Sequence, residues 1–468
     1  MKKIDRVVES VKKIWKEKTP VDHPSVYHKY INELDRDILL KAANKLGTPQ
    51  YVLNQDELIK RAIFFKETFT GYIPNVEFFY ATKCNDLPFL VKTLKVTGFN
   101  ADVAGMFELK LALKLGFKKI IFTGPGKSEE ELKLVIKKNR QVILNIDNMD
   151  ELDRLIALLK ESKTRRKIKI SFRVNPDSTV TKVWSKFGID IKHLKDAVTK
   201  VKKNQNLKLV GLHFHSSWNK TPERYMKKIK LLGDYLRKNM QAETKKLEFL
   251  DIGGGFYPED VASLAKTSNK GGIANIVQEF AEDLNPKMKL DFNQYKFKIN
   301  KVVPLEHFAR EISTQLFLYI YPLNKKIKIY MEPGRFLVTH STSILLKVIA
   351  TKPNAVIVDG GINLLGDYRF EEYAYAPIVN LSQPSLNIKR KTIYGPLCDP
   401  SDLWGFSYFG AGIKKGDVLA VLHQGAYSFA CAWRFIKPTA KYVAITGDQV
   451  AIVKEEEKFQ DRYSGCRL

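Results

Sequence analysis

Cysteine is scarce in this chain of 468 residues: four thiols, Cys84, Cys398, Cys431 and Cys466, stand far apart with no Cys-x-x-Cys pair. That excludes a disulfide scaffold and the ligand spacing of a structural zinc site, and it fits a reducing compartment. Long apolar runs are missing too; none approaches the roughly 18 residues of a membrane span. The N-terminus lacks the apolar core of a secretion signal. It reads instead as a basic amphipathic helix with Ile4, Val7, Val8, Val11, Ile14 and Trp15 on one face, interrupted by Asp5, Glu9 and Glu17 and suited to packing on the fold or on a partner subunit. Acidic residues are outnumbered, 51 Asp+Glu against 78 Lys+Arg, for a net charge of +27. The basic residues are spread along the chain and form no block, so a solvated lysine-rich surface is expected and a nucleic-acid partner is not. A cytoplasmic protein without a membrane partner is the expectation.

What is present is core material and a repeated pattern. Apolar residues make up 44% and charged residues 28%, enough for a large core and too apolar for global disorder. Eight short β-branched or aromatic runs alternate with helical stretches: VEFFYATK (76–83), GFNADV (98–103), KIIFTG (119–124), VILNI (142–146), KIKISFRV (167–174), LVGLHFH (209–215), EFLDIGGG (248–255) and KIYMEPG (328–334). Strand–helix alternation predicts a parallel sheet, and eight units over about 250 residues predict a (β/α)8 barrel in preference to a doubly wound open sheet. Polar residues and glycines close nearly every run: Lys83, Asp102, Gly124, Asp147, Arg173, His215, Gly253 to Gly255, and Glu332 with Arg335. In a barrel those ends converge on one mouth, where the site belongs.

Residues 256–310 break the repeat and read as an insertion on the last crossover, a lid or a solvated excursion. After about 340 the pattern becomes short strands with turn signals, as in TSILLKVIAT, NAVIVDGG, DVLAVL and KYVAIT. The expected organisation is an N-terminal extension over 1–45, a barrel over 46–338 carrying the insertion, and a β domain over 339–468. The strand-like LGTPQYVLNQ (46–55) suits either the barrel or the β domain.

Five motifs carry chemistry. Lys83 in YATKCND leaves a strand end, where a closed mouth can turn a lysine into a nucleophile. The three glycines of LDIGGGFY let backbone N–H groups approach an anion, typically a phosphate. In MEPGRFLV, Arg335 can grip a phosphate and Glu332 can bond a ring nitrogen. In GLHFHSS, His213 and His215 share one strand face. Two such histidines could ligate a metal, but no Asp, Glu or Cys stands at ligand spacing, so no metal is expected and a histidine stacked on a planar ligand, or in the core, is. Finally, GPLCDPSD presents Cys398 and Asp399 in a Gly-Pro-punctuated loop.

In this order the motifs, with LGTPQYVLN, ADVAGMFELKLALKLGF, SKFGI (185–189), DGGIN and HQGAY (423–427), resemble the fold-type III pyridoxal-phosphate decarboxylases, the diaminopimelate and ornithine decarboxylase family. The resemblance runs from about residue 47 to about 450. It implies an alanine racemase-like (β/α)8 TIM barrel that binds pyridoxal 5'-phosphate, followed by a β domain. It implies that Lys83 holds the cofactor as a Schiff base, with Asp102 nearby, Arg173 beneath the ring and His215 stacked on its face. Gly253, Gly254, Gly255 and Arg335 would hold the phosphate with help from Tyr427, and Glu332 would pair with the pyridine nitrogen. Cys398 would be the proton donor after CO2 leaves. Asp399, with Arg369 and Tyr373, would meet the substrate. In the family the residues matching Cys398 and Asp399 reach the other subunit's site, which implies a homodimer. The activity implied is removal of the α-carboxylate from a diamino acid of diaminopimelate, lysine or ornithine type, or from a related derivative; a racemase or a non-catalytic member of the fold is the alternative.

The chain also departs from the family pattern. His-x-Gly-Ser is replaced by His215-Ser216-Ser217-Trp218, so either Ser216 or Ser217 takes the phosphate contact or the contact is lost; Ser217 is the one assigned. Asp367 stands near the place where diaminopimelate enzymes carry an arginine, with Arg369 out of register. Asp399 follows the loop cysteine as in ornithine decarboxylases, where diaminopimelate enzymes have Glu. Strict diaminopimelate specificity is therefore not expected.

Overall fold

A computed structural model describes residues 24–162, 164, 166–177, 186–258, 262–265, 296–299, 301–366 and 374–467. The apolar face expected over residues 4–15, the substrate candidates Arg369 and Tyr373, Asp367, and most of the expected insertion lie outside the described residues. The chain divides into two compact units, one of residues 55–259 and 301–339, the other of 1–54, 260–300 and 340–468.

The first unit is a closed parallel barrel. Its strands are β1 (Val76–Ala81), β2 (Asn100–Val103), β3 (Ile120–Phe122), β4 (Val142–Ile146), β5 (Ile168–Asn175), β6 (Leu207–His213), β7 (Phe249–Asp251) and β8 (Lys328–Met331). Each pairs with the next, and β8 pairs with β1. All eight expected runs are barrel strands. Helices fill the crossovers, and their starts follow local chemistry. Ser128 and Glu131 form a reciprocal capping box on helix Glu129–Lys137. The Asn148 side chain accepts from the Glu151 N–H at the start of helix Met149–Glu161.

One end of the barrel is plugged by apolar side chains. Phe79, Ile121, Ile143, Val210, Phe249 and Tyr330, from six different strands, form one buried cluster, with the Phe249 and Tyr330 rings stacked at 4.2 Å. Gly211 makes room for this: a Cβ there would lie 2.3 Å from the Phe249 ring. Filling the interior leaves the polar residues at the strand C-termini as the lining of the mouth.

The second unit is built on a nine-stranded, mostly antiparallel sheet. Its core gathers Val52, Leu345, Val379, Phe409, Ala420, Val443 and their neighbours. Strand Gln50–Asn54 belongs here: it pairs antiparallel with Thr342–Thr351 and parallel with Lys441–Thr446. The barrel boundary expected at 46 therefore moves to 55. The physical reason is that QYVLN is buried over four consecutive residues, as a barrel strand would be, so only its pairing partners decide its membership. Within 260–300 the described strands, Ala262–Ala265 and Lys296–Ile299, pair with each other, and the former pairs with Ala374–Tyr375.

Candidate active site

The mouth of the barrel is assembled from two turns that pack on each other. Lys83 lies half-buried in the short turn Thr82–Cys84 after β1. The Pro333 carbonyl of the turn after β8 accepts from the Ala81 N–H at 3.2 Å. Gly334 sits so close that a Cβ would meet Cys84 and Ala81 Cβ at 3.0 and 3.2 Å. Lys83 thus enters the same space as Glu332. Its charge acts on Asp102, Glu108, His213 and His215.

The electrostatics sort three buried carboxylates. Asp102 accepts from Thr123 Oγ1 at 2.6 Å and Asp251 accepts from the Gly253 N–H at 2.8 Å, yet burial, then the nearby Glu332 charge, pushes both carboxyls well above the usual range. Burial presses on Glu332 in the same direction, but the contact with His213 outweighs it and holds Glu332 well below the usual range. One carboxylate stays ionised between two that tend to neutral.

His213 Nε2 lies 3.3 Å from Glu332 Oε2, and its Nδ1 lies 2.9 Å from Asn145 Nδ2. His215 Nδ1 accepts from the Gly254 N–H at 3.2 Å and stands 3.6 Å from the same Glu332 oxygen, too long for a hydrogen bond. Burial lowers both histidines, His215 to about 3, so both are neutral at pH 7. The three ligand atoms lie within 4.8 Å of one another, the composition of a small metal site. Hydrogen bonding uses the nitrogens instead: His213 Nε2 carries a proton toward Glu332, and His215 Nδ1 has given its lone pair to Gly254.

The glycine loop after β7 is locked from below. Gly253 and Gly255 have φ of 72° and 93°, a region closed to most side chains. A Cβ on Gly254 or Gly255 would lie 1.9 Å from the carbonyl oxygen of Glu332 or Ser216. Tyr225 donates to the Gly254 carbonyl at 2.5 Å, and the Asn219 N–H donates to the Gly255 carbonyl at 2.9 Å. With their carbonyls held this way, the glycines bring bare backbone to the site. Arg335 starts the short helix Arg335–Val338, its guanidinium 5.3 Å from the Tyr257 ring centroid. Arg173 lies 3.8 Å from Asp147 and stacks 4.3 Å from the Phe187 ring.

A cavity of about 380 Å³ opens beside these groups, lined among others by Arg173, Phe187, His215, Ser216, Ser217 and Lys228. Both serines reach it, but their states differ. Ser216 Oγ is buried with no hydrogen-bond partner, whereas Ser217 is half-buried. Ser216, not only Ser217, is thus ready to receive an anion. Lys228 reaches back to donate to the His215 carbonyl at 2.5 Å, and burial, with Arg173 and Arg224 beside it, lowers its amine to about 8.

Three sequence candidates lie in the sheet unit. Cys398 is exposed and Asp399 half-exposed in a loop organised by buried Asp402, whose carboxylate accepts from the N–H groups of Leu397 at 2.6 Å and Ile362 at 2.8 Å. Tyr427 is half-buried with φ of 63°. Asp399 accepts from the Ser401 N–H, which holds its carboxyl below the usual value.

Residues that the sequence did not flag complete the barrel site. Lys127, in the loop after β3, is fully buried and donates to Gly124 O at 2.5 Å, Asn145 O at 2.8 Å and Glu151 Oε1 at 2.9 Å. Its only local signal is a lysine following Pro-Gly. Asn145 sits inside the apolar run VILNI, a polar residue in a fully buried strand, and that oddity is a signal that could have found it.

The donor set fits pyridoxal phosphate. Glu332 Oε1 is buried without a partner and can accept from a protonated ring nitrogen, Ser216 Oγ and the glycine backbone offer donors to a phosphate, and Lys83 offers an amine. Comparison with known proteins agrees. A family model described as the pyridoxal binding domain of pyridoxal-dependent decarboxylases matches residues 55–339, the limits of the barrel unit. A diaminopimelate decarboxylase of Aquifex aeolicus is 27% identical over 92% of this chain and 96% of its own. An L-glutamyl acyl-carrier-protein decarboxylase of Niallia circulans is 25% identical over 85% of this chain and 88% of its own. A crystal structure of diaminopimelate decarboxylase from M. jannaschii superposes with a TM-score of 0.75 at 23% identity, covering 92% of this chain and 94% of that one.

Proposed function

The chain belongs to the pyridoxal-dependent decarboxylases, and from that premise we propose that it removes the α-carboxylate of a diamino acid of diaminopimelate, lysine or ornithine type, or of a related amino-acid derivative. The observation that carries the reading is Glu332: a buried carboxylate held ionised, with Oε1 uncommitted, at the mouth that also receives Lys83. Bound pyridoxal phosphate supplies an electron sink that takes up the pair left on Cα when CO2 departs. In this reading Lys83 would bind the cofactor through its amine, and ionised Glu332 would accept a hydrogen bond from the protonated ring nitrogen. A carboxylate at that atom favours the protonated ring, the stronger sink, which suits decarboxylation better than racemisation. Neutral His215 would stack against the planar cofactor, with Asp102 and Arg173 also holding it near Lys83. Gly253, Gly254, Gly255, Ser216 or Ser217, Arg335 and Tyr427 bind the phosphate.

Cys398 returns a proton to Cα as general acid, and Asp399 meets the distal amine. We assign both to the site of a second copy, so the working enzyme is a homodimer; their exposure on a loop braced by Asp402 supports this. The four free cysteines support a reducing, cytoplasmic setting. Among the described residues no helix is long and apolar enough to cross a membrane.

The test is CO2 release from a panel of meso-diaminopimelate, both enantiomers of lysine, ornithine and arginine, and a carboxylated polyamine. Release from one member fixes reaction and substrate together. If the panel is silent but Cα-proton exchange occurs, the decarboxylase reading fails. Lys83→Ala removes the visible absorbance of the bound cofactor; an unchanged spectrum sinks the Lys83 assignment.

A further inference from the structure

Four buried side chains form one hydrogen-bonded chain with a single consistent direction: Ser171 on β5, Asn145 on β4, His213 on β6 and Glu332 after β8. Ser171 Oγ donates to Asn145 Oδ1 at 3.0 Å, Asn145 Nδ2 meets His213 Nδ1 at 2.9 Å, and His213 Nε2 meets Glu332 Oε2 at 3.3 Å. The direction is set at the carboxylate end, because an ionised Glu332 only accepts. His213 Nε2 must therefore carry a proton. A neutral imidazole has only one, so Nδ1 is bare and takes the Asn145 amide hydrogen. That leaves Asn145 Oδ1 facing Ser171, which donates to it. Turning the Asn145 amide would reverse every link and set two acceptors against each other at Glu332. The Asn145 backbone is itself tied down by the ammonium of Lys127 on its carbonyl.

We propose that Asn145 and Ser171 are positioning residues that fix the Nε2–H tautomer of His213, so that Glu332 Oε2 is always occupied and Oε1 is the oxygen left for the cofactor ring. The inference rests on the reading of Glu332 given above, and extends it to two residues bonded to Glu332 only through His213. Burial lowers His213, which agrees with a neutral ring. Glu332 Oε1 takes no hydrogen bond from an N–H or hydroxyl donor, and its side-chain neighbour is the buried Asp251 carboxyl.

The experiment is nitrogen NMR of the cofactor-free protein with ¹⁵N-labelled histidine, where protonated and bare ring nitrogens resonate far apart. The chain has 8 histidines, and His213→Gln identifies the signal. Wild type is expected to show bare Nδ1 and protonated Nε2 at pH 7. In Asn145→Asp an acceptor replaces the donor, and Nδ1 becomes protonated. Ser171→Ala, which removes one oxygen, produces the same change in a fraction of molecules as the amide turns. In loaded Asn145→Asp, kcat falls about 10- to 100-fold, the range of other residues that orient a site's ligands, while KM moves less than threefold. A protonated Nδ1 in wild type, or signals unmoved in both variants, overturns the proposal. Failure of Lys83→Ala to abolish cofactor absorbance would instead overturn the site reading and leave the tautomer result standing.

Discussion

Replacing Glu151 by Ala tests the buried ion pair that anchors the end of β4. Lys127 and Glu151 both have fully buried side chains and meet at 2.9 Å. The three protons of the Lys127 ammonium are all placed, on Gly124 O, Asn145 O and Glu151 Oε1. Glu151→Ala removes one acceptor and the nearest counter-charge while leaving the cation inside the barrel wall. Breaking a buried pair on one side costs about 3–5 kcal/mol. At ~2–4 °C per kcal/mol for a domain of this size, the thermal midpoint should fall by roughly 6–20 °C. Lys127→Met in the same background removes the stranded charge and should return most of that loss, since apolar replacement of a whole buried pair is often neutral or stabilising. Calorimetry of the wild type and the two variants reads the result. A single-variant loss below about 2 °C, or a double variant no better than the single, would refute the argument that Lys127 is a desolvated cation held by Glu151.

Other perturbations have equally definite outcomes. Cys398→Ala should cut turnover while leaving the cofactor bound, and normal turnover in steady-state assays removes Cys398 as the acid. Gly254→Ala puts a methyl 1.9 Å from the Glu332 carbonyl oxygen, so it should weaken cofactor binding at least tenfold by fluorescence titration; unchanged affinity means the loop does not hold the phosphate. Acidification should destabilise the cofactor-free protein through His215. Its folded value of about 3 lies below the unfolded 6.5, so the unfolded state binds the extra proton and stability falls as pH drops from 6.5 toward 3. The slope is ~1.4 kcal/mol per pH unit, about 2 kcal/mol by pH 5, and His215→Gln should lose this part in urea titrations. An identical slope in the variant would rule it out.

Much of the barrel was legible because its signal is local. Each strand is a short apolar run ending in a polar or glycine residue, and the site lies where those endings meet. The reading was weaker where the deciding contact is distant. Strand Gln50–Asn54 looks like any buried strand until its partners Thr342–Thr351 and Lys441–Thr446 are known. Ser216 and Ser217 are adjacent and chemically identical, and only the folded structure shows that Ser216 Oγ is buried while Ser217 is half-buried. His213 read as a core or ligand histidine, since no spacing rule links it to Glu332, which is 119 residues away and bonded to it. Asn145 and Lys127 were hidden for the same reason: Asn145 meets Ser171 and His213 on other strands, and Lys127 meets Asn145 and Glu151, 18 and 24 residues on.

The strand Gln50–Asn54 also sets a clock. Val52 lies opposite Ser343 on one side and Val443 on the other, partners roughly 290 and 390 residues later in the chain. During synthesis at ~5–20 residues per second, that strand emerges some 20–80 seconds before its last partner exists. By then every strand of the barrel, the last ending at Met331, has already been made. A nascent chain that stalls anywhere between about 340 and 440 would therefore carry a complete set of barrel strands together with an apolar QYVLN segment lacking at least one neighbour. Such a segment is open to capture by a chaperone or by another nascent chain.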